Sequence, residues 1–103
     1  MPKIIPAPLT RSLSEIARDI EADYRSKGKP VYYAALPYVT ALRQTSGATD
    51  LNGRFFEDDL EGLIIRLLGN LSTWRGETAT RVKAELKAAV NHHNVKSGRR
   101  ATY

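Results

Sequence analysis

The stretch Leu60 to Leu71, LEGLIIRLLGNL, limits what this chain can fold into more than any other. Leu60, Leu63, Ile64, Leu67, Leu68 and Leu71 recur at steps of three and four residues, the spacing that lines one face of an α-helix. Ile65 falls away from that face. Gly62 and Gly69 stand opposite it, where a missing side chain lets another backbone come close. A helix this apolar needs cover on more than one side, so the spacing predicts an all-α, compact four-helix domain arranged around a central helix over about 57–71.

A length of 103 residues suits one domain, which buries roughly 60 to 68% of its unfolded surface and folds without staples. Cysteine is absent, which removes disulfides, thiolate metal sites and cysteine nucleophiles together and fits a reducing compartment. The opening MPKIIPAPL is broken by Pro2, Pro6 and Pro8 and lacks the continuous apolar core of a signal peptide. The longest apolar run is interrupted by Arg66 and falls short of the roughly 20 residues that a membrane span requires. A cytoplasmic protein with no membrane partner is expected.

In chain order, residues 1–10 read as a proline-rich arm, 11–93 as the helical domain and 94–103 as a basic, mobile tail. Ser12 followed by Glu15 matches a capping box and predicts a helix over about 12–27, with Leu13, Ile16, Ala17, Ile20 and Tyr24 as its buried stripe. Residues 31–44, VYYAALPYVTALRQ, favour a second helix, although Val31, Tyr32 and Tyr33 would also suit a strand. Pro37 cannot donate its backbone hydrogen bond, which predicts a kink or break near Ala34 to Pro37. Gly47, Asp50, Asn52 and Gly53 mark the main loop. Glu57, Asp58, Asp59 and Glu61 crowd the start of the third helix, where the helix dipole accounts for them without a cation. Ser72 or Thr73 would cap a last helix over about 73–92, with Ala79, Val82, Leu86, Ala89 and Val90 buried.

Charge is unevenly placed. Residues 1–73 balance nine basic against nine acidic side chains, so residues 74–103 hold the whole net charge of +5. Arg75, Lys83, Lys87, Lys96, Arg99 and Arg100 are therefore the candidate nucleic-acid contacts. A helix-turn-helix would use Arg75, Thr78 and Arg81, but Glu77 and Glu85 flank Arg81 in an i, i+4 ladder. Tyr32, Tyr33 and Tyr38 fit either a half-buried core or a platform for unpaired bases. His92 and His93 are neighbours and point about 100° apart in a helix, so they do not chelate one metal.

The stretches STWRGETATRVKAEL (72–86) and VYYAALPYVTAL (31–42) resemble a group of small uncharacterised proteins of tailed phages and bacterial mobile elements. The resemblance implies a setting and no activity. No nucleophile with a base, isolated carboxylate pair or phosphate-cradling loop is spaced for use, so no enzyme and no cofactor or metal is expected. The leading expectation is a protein that docks on a host or phage protein through Ile4, Ile5, Leu9, Tyr33 and Trp74, large apolar groups that need not all be buried, although Trp74 at a helix start favours an anchor against a neighbouring element over a binding contact. The alternative is DNA or RNA binding through the basic end. Self-association through Gly62, Ile65 and Gly69 stays open.

Overall fold

The structure, a computed structural model, describes residues 11–45, 51, 54–55 and 58–103. It contains four α-helices: α1 (Leu13–Ser26), α2 (Leu36–Arg43), α3 (Leu60–Gly69) and α4 (Glu77–Lys96). A short antiparallel ladder, β1 (Arg54–Phe55) against β2 (Asp58–Asp59), leads into α3 and sets Arg54 opposite Asp59. The expected arm 1–10, most of the loop 46–53, Phe56 and Glu57 lie outside the described residues.

The helices pack α1 to α2, α2 to α3, α3 to α4 and α4 to α1. They enclose one core, in which Leu13, Ile16, Ile20, Val39, Leu42, Ile64, Leu67, Leu71, Val82, Leu86 and Val90 are fully buried. The apolar face of α3 is as expected, with Leu60, Leu63, Ile64 and Leu67 buried and Leu68 packed at the edge. Among the described residues no neighbour closes on the opposite face. A side chain at Gly69 would meet nothing within 4 Å, and one at Gly62 would meet only Asp59 Oδ1, at 2.9 Å. Gly62 therefore makes room for the helix cap, since Asp59 accepts a hydrogen bond from its N–H at 2.7 Å. The expected close approach of another backbone is corrected accordingly, and the helix starts at Leu60 because Asp59 caps it.

The Ser12–Glu15 capping box forms in both directions and starts α1 where the sequence placed it. The second helix is shorter than expected. Pro37 occupies its first turn, where a missing N–H costs nothing, and residues 31–35 form a turn instead of helix. The N–H groups of Ala35 and Leu36 both donate to Tyr32 O, at 2.9 and 3.0 Å. The break foreseen near Ala34 to Pro37 is thus the start of the helix.

The last helix is displaced along the chain. It begins at Glu77 and continues to Lys96, so the boundary expected after residue 93 falls inside it. Neither Ser72 nor Thr73 caps it; Gly76 does, with φ +119° and ψ −179°, a backbone conformation open to glycine alone. The tail expected to be mobile folds back along α4. Asn94 donates to Thr102 Oγ1 at 2.7 Å, Arg99 donates to Asn94 Oδ1 and to Glu61 at 3.0 and 3.2 Å, and Asn91 exchanges two hydrogen bonds with the backbone of Tyr103.

Candidate functional site

Between α1 and α4 the chain Thr73 to Gly76 is held from both sides. Lys27, at the end of α1, donates to Arg75 O at 2.7 Å, and Lys83 of α4 donates to Trp74 O. The Trp74 ring stacks on Tyr24 at 5.9 Å and 16°. Its indole N–H donates to Asp23 Oδ2 at 2.7 Å, and Lys27 donates to the same oxygen at 2.8 Å. Hydrogen bonding from Lys27, opposed by burial and supported by Trp74, holds the Asp23 carboxyl below its ordinary value.

This fixed loop forms one wall of a cavity of about 800 Å³. The other wall is the turn before α2, with Pro30, Val31, Tyr32, Tyr33 and Leu36, and Tyr24 and Trp74 lie between them. The turn explains the surface. Because 31–35 is not helical, Tyr32 and Tyr33 are both presented outward, 40% and 78% exposed, with Leu36 beside them at 46%. The two rings lie 4.9 Å apart and tilted by 56°. The Tyr33 hydroxyl raises the Tyr32 phenol above its ordinary value.

Three cations, Lys27, Lys29 and Arg75, line the cavity, and no carboxylate does. Arg75 also begins a basic track along α4. Burial lowers the Lys83 ammonium from its ordinary value, and the like charges of Lys87 and Arg75 lower it further. Lys87 in turn stands 5.7 Å from the centre of the Tyr103 ring.

The expected site residues divide. Tyr33 is a surface group, whereas Trp74 is 3% exposed and cannot be a docking contact; its large apolar area anchors the loop from within. Ile4, Ile5 and Leu9 lie outside the described residues. Of the six basic candidates, Arg75 lines the groove, Lys83 donates to Trp74 O in its wall, and Lys87 follows one turn further along α4. Lys96 is the last residue of α4, about 20 Å from Lys83 along the helix, and Arg99 and Arg100 lie past it. Arg99 is already paired with Glu61, and His93 Nε2 lies 3.5 Å from the same carboxylate. Arg81 bridges Asp19 and Glu85, both at 3.1 Å, and so belongs to an ion-pair network and not to a DNA-reading face. Among the described residues no group of side chains could hold a metal ion, and no helix is long and apolar enough to cross a membrane.

Sequence reading singled out Tyr32 and Tyr33 as a possible platform but passed over Leu36 and Lys29. The signal that could have found them is Pro37, since a proline that starts a helix leaves the preceding residues in a turn with neighbouring side chains splayed. Comparison with protein-family models, with curated proteins and with solved structures gave no match.

Proposed function

We propose that this chain is a non-enzymatic docking protein of the phage or mobile-element type, working in the host cytoplasm. It holds a macromolecule of host or phage in the groove between the 30–36 turn and the 73–75 loop. The observation that supports this reading is the exposure of Tyr32, Tyr33 and Leu36 around one cavity rimmed by Lys29 and Arg75. Aromatic and arginine side chains gathered around a pocket are the usual carriers of binding energy. Packing within the chain leaves these groups uncovered, while Trp74 and Tyr24 beneath them are fixed by stacking and hydrogen bonds. A preorganised surface of this kind loses little side-chain entropy on association.

A photo-crosslinking amino acid in place of Tyr33, compared with one in place of Arg18 on the exposed side of α1, tests the reading in bacterial extract. A discrete adduct is expected from position 33 alone, and it should vanish with Leu36→Asp. Equal labelling from both positions, or none from 33, would remove the groove as the docking site. Digesting the adduct with nuclease or protease then reports the class of macromolecule.

A further inference from the structure

We infer that the occupant of this groove is a single-stranded nucleic acid, its bases stacked on Tyr32 and Tyr33 and its phosphates carried along Lys29, Arg75 and Lys87. The inference rests on the docking reading above and names the ligand for the same site.

Three observations converge on it. First, among the described residues the lining carries cations and no carboxylate; Lys27 is paired with Asp23 behind it, so the attraction for an anion comes chiefly from Lys29 and Arg75. Second, the positive charge does not stop at the rim. Lys83, which donates to Trp74 O in the groove wall, lies within electrostatic reach of both Arg75 and Lys87, so the charge continues from the rim onto α4.

Third, the aromatic groups are exposed rings on a turn. Stacking against a ring needs only a free face and accepts any base, whereas a partner helix needs sockets for anchors at helical spacing. Tyr33, at 78% exposure, offers such a face. The same rings cannot reach bases inside a duplex.

The test is fluorescence anisotropy of the full chain with labelled oligothymidylate, oligouridylate, a mixed-sequence duplex and a Glu-rich peptide, across a salt series. Oligothymidylate and oligouridylate should both bind more tightly than the duplex or the peptide. The logarithmic salt slope on oligothymidylate should be about −2 for three phosphate contacts. Tyr33→Ala should weaken it by about tenfold, in line with the loss of one stacked base. Arg75→Glu should weaken binding to a similar degree and flatten the slope, whereas Arg18→Glu, the same charge change on another face, should leave it unchanged. Helical circular dichroism and Trp74 fluorescence confirm that each variant is folded.

Failure to bind oligothymidylate at low salt would overturn the inference. So would equal weakening by Arg18→Glu, or tighter binding of the Glu-rich peptide. A protease-sensitive adduct at position 33 alongside such a failure would leave the docking reading standing with a protein in the groove. No adduct and no oligonucleotide binding would end both.

Discussion

The indole N–H of Trp74 donates to Asp23 Oδ2 across 2.7 Å, tying the loop before α4 to the last turn of α1. Trp74 is almost wholly buried, so this donor has no water to turn to when the carboxylate is removed. Asp23→Ala should therefore lower folding stability by about 1–3 kcal/mol, the cost of an unsatisfied buried donor. Trp74→Ala, which also removes the stacked ring, should cost about 3–5 kcal/mol. Urea unfolding followed by circular dichroism measures both, and a loss below half a kilocalorie for Asp23→Ala would mean that the bond contributes little.

Acid should weaken the fold through two aspartates. Asp23 is held low chiefly by Lys27. Burial pushes Asp19 up, but hydrogen bonds from Arg11 and Arg81 outweigh it and leave that carboxyl low as well. A carboxyl lowered in the folded state stabilises the fold above its unfolded value, and that contribution disappears as pH falls through the folded value. Stability should be level above about pH 5 and decline below about pH 4. In Asp23→Asn the decline should be shallower; an unchanged pH profile would assign the acid sensitivity to other groups.

Arg11 joins the start of α1 to α4. Its guanidinium is bidentate on Glu85, at 2.7 and 2.9 Å, and also reaches Asp19. These side chains are partly exposed, so solvent screening limits the gain, and Arg11→Ala should cost about 1 kcal/mol. A double-mutant cycle with Glu85→Ala at low and high salt checks this. The coupling energy should shrink with salt, and one indifferent to salt would place the loss in packing of the arginine stem.

Two glycines should respond to alanine with opposite signs. Gly76 has φ +119°, and a side chain there would also stand 3.3 Å from Lys27 Nζ, so Gly76→Ala should destabilise by about 1–3 kcal/mol. Gly69 has open space where its side chain would lie and helical neighbours before it, so Gly69→Ala should stabilise by up to about 1 kcal/mol. Thermal midpoints of the two variants, taken together, should bracket that of the parent.

Sequence made visible what depends on neighbours along the chain. The Ser12–Glu15 box and the stripes of α1, α3 and α4 are local patterns with one geometric solution, and they stand where expected. What depends on distant contact was hidden. Trp74 looked available for docking because nothing near it in sequence foretells Asp23 and Tyr24, some fifty positions earlier. Gly76 reads alike in sequence whether it caps a helix or stands in its first turn, and only the backbone conformation tells the two apart. The groove was only half legible: Tyr33 and Arg75 were singled out, but their meeting follows from Pro37 ending a turn and from two lysines fixing the Trp74–Arg75 carbonyls. The folded-back tail had no apolar period to announce it, since polar side chains hold it.

Asn91 takes hold of residue 103 by backbone atoms only, leaving the ring to Lys87: Oδ1 accepts from the Tyr103 N–H and Nδ2 donates to Tyr103 O, both at 2.9 Å. A grip of this kind is blind to the identity of the side chain it holds. Position 103 can accordingly accept most residues other than proline, which lacks the donor, while position 91 tolerates only a side chain that both gives and takes a proton at that reach. Mutational freedom along this contact is therefore lopsided, wide on the strap and narrow on the helix beneath it.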